Sequence, residues 1–448
     1  MKRSHVCSLL FFSLSTIVVA FGGRSSLLAE VSLVAQQPTA VDTNSLAPPA
    51  NDAVKEATAA LASGDLEKAR SSLIVLKDAS DAFHPEVVLV QLLFAGGNAH
   101  EGRRLLEQFA AKEPRRIDVY LIFTELAVGE QRWFDAWNLG NTAERLQSPQ
   151  NWTASLKERV KNRLMVLKAT SSEGRLDWTT ARDTYLQLAT AKEDRSEIWE
   201  GLARCEYKLG DIDKSLSYFQ KIRASLKKTL IPSFAIAMLY ESDGNVIKAE
   251  EYFQKAIATA NATTRELTPA KLAFARFLIW SNRPSDAKTY LDTEIADSSS
   301  SETERLFLTA MVARMEQRFT DAQEILSRLH QQDSTSYPIG NNLALVLIES
   351  DQESLRGRAL QIAEVNVRNN PRLVDAWATL GYVQFRLGDV ASAEKSLNTS
   401  IQNGQLSRDA AFYLAKIKQS MGIKDDAKKL FDTAVTLPGP VFYQELNK

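Results

Sequence analysis

The chain has 448 residues, with 54 Lys plus Arg against 55 Asp plus Glu and a formal net charge of −1. That balance excludes the basic excess by which a nucleic-acid reader is usually known. With 19 glycines, 13 prolines and only two cysteines for this length, the composition favours helices and excludes a disulfide framework.

The first residues read as a targeting segment. Met1-Lys2-Arg3 is a charged start, and Leu9 to Ala20 is an apolar run of twelve, shorter than the ~20 residues that span a bilayer. Residues 1–29 are therefore expected to be a signal peptide. Cleavage is expected after Val18-Val19-Ala20, with Ala29 and Ala35 as alternatives. The expected location is the periplasm or cell envelope; an uncleaved signal would instead anchor the chain in the inner membrane. Cys7 precedes the apolar core, so it does not mark a lipoprotein. Residues 30–51, with Gln36-Gln37-Pro38, Thr43-Asn44-Ser45 and Pro48-Pro49, carry no apolar period and read as a flexible linker. Loss of the signal leaves Cys205 alone, at a packed position that suits a buried, inert thiol.

From residue 52 to residue 437 the chain repeats itself. Trp199-Glu200-Gly201-Leu202-Ala203 leads to Lys208-Leu209-Gly210-Asp211; Trp377-Ala378-Thr379-Leu380-Gly381 leads to Arg386-Leu387-Gly388-Asp389. A third copy runs from Ala411 to Gly422. In the second copy Trp377, Leu380, Gly381, Gln384 and Phe385 share one helical face, and Trp377 is expected to be buried between helices. Gly388 suits a left-handed helix end, and Asp389 an N-cap for the helix after it. Gly381 and Ala393 mark where the two backbones must approach. The small residue of the second helix recurs at Ala69, Gly102, Ala136, Ala181, Ser215, Ala249, Ala287, Ala322, Ala359, Ala393 and Ala427. The steps are 33, 34, 45, 34, 34, 38, 35, 37, 34 and 34 residues. Residues 195–437 are the most regular. Residues 150–194 are irregular, with eleven extra residues expected to lengthen the helix of Leu156, Val160, Leu164 and Leu167.

Trp377, Leu380, Gly381, Ala393 and the preceding Pro371 resemble the tetratricopeptide repeat. The resemblance implies an all-α fold, a right-handed superhelical solenoid of about eleven helix-turn-helix units. It also implies an exported bacterial protein of that family. In the family the first helices line a concave face. By register that face takes Arg204, Tyr207, Phe234, Met238, Arg276, Trp280, Phe307, Met311, Arg314, Asn341, Tyr382, Phe385, Phe412 and Lys416. Aromatic, Met and Arg residues are those enriched at interfaces. Each apolar one has a second reading, as packing between neighbouring repeats. The Lys and Asn set of the chaperone-binding carboxylate clamp is not matched.

The sequence offers no catalytic or metal-binding constellation and calls for no cofactor. His5, His84, His100 and His330 are not at metal-ligand spacing, and neither a Gly-x-Ser-x-Gly elbow nor a phosphate loop occurs. The expected function is a non-catalytic scaffold of the cell envelope that binds protein or peptide partners, without nucleic acid. One alternative is an assembly component that self-associates. Another is a non-catalytic subunit of an envelope enzyme complex, or an enzyme or enzyme subunit using Glu158, Arg159, Arg163, Glu173 and Asp177 in the irregular stretch between Trp152 and Asp194. Residues 438–448 form a tail after Pro438-Gly439-Pro440. Either Val441, Phe442 and Tyr443 fold back over the last hairpin, or a partner covers it.

Overall fold

The computed structural model describes residues 48–190, 196–226, 230–259, 263–293 and 302–446. The signal peptide at 1–29, most of the linker at 30–51 and the stretch 191–195 lie outside the described residues. Among the described residues there are α-helices, short 3-10 turns and no strand. The chain divides into two compact units, residues 26–244 and a second made up chiefly of residues 245–448.

In the first unit, α1 (Pro48–Ala62) and α2 (Leu66–Ser72) form a hairpin. It is followed by α3 (Pro85–Ala95) with α4 (Ala99–Lys112) and α5 (Ile117–Gly129) with α6 (Trp133–Arg145). Next come α7 (Ala154–Gly174) with α8 (Trp178–Thr190), α9 (Ser196–Lys208) with α10 (Ile212–Leu226), and then α11 (Pro232–Ser242). The second unit opens with α12 (Val246–Ile257), then α13 (Thr264–Trp280) with α14 (Pro284–Thr293) and α15 (Glu302–Met315) with α16 (Phe319–Gln332). It ends with α17 (Tyr337–Leu347) and α18 (Glu353–Asn369), α19 (Val374–Arg386) and α20 (Val390–Asn403), α21 (Arg408–Ser420) and α22 (Lys424–Thr436).

The repeat signature maps onto this geometry residue by residue. Gly64, Gly210, Gly244, Gly388 and Gly422 hold positive φ just after their helices, the left-handed backbone that glycine adopts without a Cβ penalty. Asp65, Asp211, Asn245 and Asp389 follow and accept the backbone N–H of Lys68, Lys214, Lys248 and Ser392 at 2.9–3.1 Å. Each cap satisfies one of the orphan donors of a helix start. The small register residues are all buried in the second helix of their pair. A Cβ on Gly381 would lie 2.8 Å from Leu397 Cγ and 3.0 Å from the Ala393 carbonyl oxygen, so only glycine lets α19 and α20 approach this closely.

Two features depart from the sequence reading, and a third, the lengthened helix, agrees with it. Helix α1 begins at Pro48, inside the stretch read as linker, since proline is well placed in a first helical turn. The Trp377 side chain is half-buried and not enclosed, its indole N–H donating to the Pro371 carbonyl at 2.8 Å. The eleven extra residues are accounted for largely by α7, an uninterrupted helix of 21 residues with Leu156, Val160, Leu164 and Leu167 buried.

Candidate peptide-binding face

In the unit of residues 245–448, the chain beyond α22 turns back across the first helices and lies on residues of the expected face. Its backbone is read by polar side chains. Asn282 donates from Nδ2 to the Gly439 carbonyl (3.4 Å) and accepts the Val441 N–H at Oδ1 (2.6 Å). Gln317 donates to the Phe442 carbonyl at 2.7 Å. Arg408 donates from Nε to the Leu437 carbonyl and from Nη1 to the Gly439 carbonyl, both at 2.7 Å. The side chains of the segment are held as well. Arg314 stands 3.8 Å from the centroid of the Phe442 ring, a cation–π contact made in a dry setting. Tyr443 stacks on Phe412 at 4.4 Å, shares a 2.9 Å hydrogen bond with the Tyr413 hydroxyl, and meets Tyr382 edge-on at 5.9 Å. Glu445 pairs with Lys416 at 3.2 Å.

The electrostatics follow from burial. Arg314 donates from Nη1 to Asn342 (2.8 Å) and from Nη2 toward Asp409 (3.5 Å) and the Tyr443 hydroxyl (3.4 Å). Burial alone would lower its guanidinium; the oxygens of Tyr443, Tyr413 and Asp409 more than offset this and keep it charged. Burial pushes the Asp409 carboxyl up, and Arg314 opposes that rise. The phenols of Tyr413 and Tyr443 are raised well above the usual range by burial, and Tyr382 to about 12 by burial and then Glu349. These groups stay neutral at pH 7 and act as hydrogen-bonding surfaces. The arrangement recognises an extended backbone and aromatic rings.

Of the face residues named from the sequence, Arg314, Tyr382, Phe412 and Lys416 meet in this one place, with Trp280 beside Gly439. A Cβ on Gly439 would come within 4.0 Å of the Trp280 ring. Phe307 and Met311 are buried along α15. Arg276 and Phe385 are half-buried, Arg276 lying 3.6 Å from Glu304. Asn341 is half-buried, with its Oδ1 lacking a hydrogen-bond partner among the described residues. Asn282, Gln317, Arg408 and Tyr413 were not among the expected residues. A signal for the first two exists: they stand at the turn position where six other repeats have glycine.

In the unit of residues 26–244 the expected residues are used internally. Arg204 is 2 % exposed and donates to both Glu173 carboxylate oxygens at 2.8 and 2.9 Å, while the Tyr185 hydroxyl donates to the same carboxylate at 2.7 Å. Its Nε and Nη2 are committed to Glu173, and the remaining Nη1 is buried without a hydrogen-bond partner among the described residues. Tyr207 is buried, donates to Asp243 at 3.1 Å and packs edge-on against Tyr240. Phe234 and Met238 remain half-exposed on α11. Glu173 belongs to this buried ion pair, and Glu158, Arg159, Arg163 and Glu173 all lie on the one continuous helix α7. Among the described residues, no group of three or more His, Cys, Asp and Glu side chains is placed to hold a metal.

Two tetratricopeptide-repeat family models match, over residues 167–226 and 233–263. The first match begins inside the stretch read as irregular. No curated protein matches the chain. Among solved structures, a thermophilic tetratricopeptide-repeat protein of Thermus thermophilus is 19% identical, with 38% of this chain and 91% of that one covered and a TM-score of 0.34. A tetratricopeptide-repeat protein of Parabacteroides merdae is 13% identical, with coverages of 62% and 93% and a TM-score of 0.33. Yeast Tom70 is 13% identical, with coverages of 87% and 92% and a TM-score of 0.36. The chain carries tetratricopeptide repeats over residues 167–226 and 233–263, and the same positive-φ glycine turns recur outside those matches.

Proposed function

We propose that the protein is a non-catalytic scaffold of the cell envelope that binds protein or peptide partners along the face of its first helices. Repeats of this family serve protein–protein interaction in general. The particular observation that supports this reading is the segment 437–446 lying along Arg314, Tyr382, Phe412 and Lys416. The envelope setting is supported by the charged start and twelve-residue apolar run at residues 1–20. No helix among the described residues is long and apolar enough to cross a membrane.

The test places a photo-cross-linking amino acid at Phe234, Met238, Arg276 or Phe385, and at Ile247 and Val75 as exposed sites outside the first helices. Adducts concentrated at the first four positions are expected; equal labelling at Ile247 and Val75 refutes face-directed binding. Fractionation with N-terminal sequencing tests export. A chain beginning after Ala20 or Ala29 is expected, and a cytosolic chain retaining Met1 refutes it.

A further inference from the structure

Six turns between a first and a second helix place glycine at positive φ: Gly64, Gly97, Gly210, Gly244, Gly388 and Gly422. At the same repeat position Asn282 and Gln317, in successive turns, hold φ of 57° and 61°. An L residue adopts that backbone at a cost that glycine avoids, and such strain gathers where function requires a side chain. Gln131 and Leu176 share the conformation in the other unit, where Leu176 is 71% exposed. Asn282 and Gln317 differ in what their amides do: both bind the backbone of one extended segment.

We propose that this face is a binding site for a peptide that runs extended through two adjacent aromatic residues and turns at an acidic one two positions on, and that residues 438–446 occupy it as a tethered competing ligand. The proposal rests on the reading that the first-helix face takes peptides; it adds the chemistry of the ligand and a means of control. Asn282, Gln317 and Arg408 read carbonyl and N–H groups, which any extended peptide offers. Selectivity comes from the rings: Arg314 covers the first aromatic, while Phe412, Tyr413 and Tyr382 surround the second. Lys416 then faces an acidic side chain. The segment follows directly from α22, so it competes at an effective concentration on the order of millimolar. A partner enters by matching the same contacts better or by drawing the segment away.

The test uses a fluorescein-labelled peptide of sequence Gly-Pro-Val-Phe-Tyr-Gln-Glu-Leu, titrated into the full chain and into the Phe442→Ala/Tyr443→Ala variant. Binding at least ~10-fold tighter to the variant is expected, because its own segment no longer fills the ring sites. A peptide with both aromatics replaced by alanine is expected to bind at least ~10-fold more weakly. Adding Asn282→Gly and Gln317→Gly to the variant keeps the left-handed turns and removes only the amides. Peptide affinity is expected to fall while the melting temperature holds. Equal affinity for full chain and variant, no binding to a variant that melts cooperatively, or undiminished binding of the alanine peptide each overturns the proposal. Should the aromatic variant not fold, Asn282→Gly/Gln317→Gly in the full chain decides. Faster deuterium exchange of the Val441 amide, which Asn282 holds, supports the proposal, and unchanged exchange overturns it. Cross-linking through Phe234 and Met238 lies in the other unit, so the general scaffold reading survives or falls separately.

Discussion

Arg204→Met provides the sharpest test of whether a residue at an interface-like register position belongs to a partner or to the fold. The Arg204 and Glu173 side chains are 3% and 7% exposed, and two hydrogen bonds join them at 2.8 and 2.9 Å. Methionine fills similar volume but leaves Glu173 with the Tyr185 hydroxyl as its remaining side-chain donor. Removing one partner of a buried pair costs about 3–5 kcal/mol, because the other charge stays desolvated and uncompensated. Replacing both, as Arg204→Met with Glu173→Leu, removes that charge; recovery of most of the loss is expected, less about 1 kcal/mol because the Tyr185 hydroxyl keeps only Thr170, at 3.5 Å. Urea unfolding followed by circular dichroism measures both. Neighbour coupling makes α7 to α10 the first region to open, and the adjacent Cys205 reports it. Burial raises that thiol well above its ordinary range, so it should resist a disulfide reagent at pH 8 in the native protein and react quickly in the single variant. A loss below about 1 kcal/mol would mean that the pair is solvated in solution, and Arg204 would then return to the list of partner-facing residues.

Gly381→Ala is expected to cost about 1–3 kcal/mol by overpacking, since the new methyl meets the Ala393 carbonyl at 3.0 Å; a melting temperature within a degree of wild type would refute the close approach. Trp377→Ala should cost about 2 kcal/mol, below the 3–5 of a fully enclosed indole, because the ring is half-buried; urea unfolding checks it. Asp375 accepts from Ser407 at 2.5 Å, and burial raises its carboxyl above the unfolded value. The folded state therefore binds its proton more tightly. The associated stability is complete below the unfolded pKa, about 3.9, and is lost as pH rises through the folded one. Asp375→Asn should thus raise the melting temperature at pH 7, with the gain vanishing toward pH 3. A gain that grows on acidification would reverse the assignment.

Much of the architecture was written in the spacing. Glycine followed by Asp or Asn states where a helix ends and its partner begins, because backbone handedness and N-capping act within a few residues. The small register residues work for the same reason: a backbone contact tolerates few side chains, so the constraint leaves a local mark. Occupancy of the face left a weaker one. Whether Arg204 meets solvent or Glu173 depends on a carboxylate 31 positions earlier, and periodicity along one helix carries nothing about it. Arg314 and Asp409 are 95 positions apart, and their meeting requires that several hairpins stack with a particular curvature.

The turn position shows where the two kinds of information meet. At Gly388 and Gly422 the residue is chosen by backbone alone, and any side chain would add strain with no return visible in the structure. At Asn282 and Gln317 the same backbone is kept and the glycine is not. A repeat position that is otherwise easily satisfied is given up at two successive units, and both of the resulting amides reach the same chain segment. Strain from a local rule and hydrogen bonds from a distant contact therefore coincide at the same two residues. A purely structural cap for α22 would need only contacts with the last hairpin; this segment is gripped by turns beginning more than 100 residues earlier. That reach is what a binding face requires and what a cap does not.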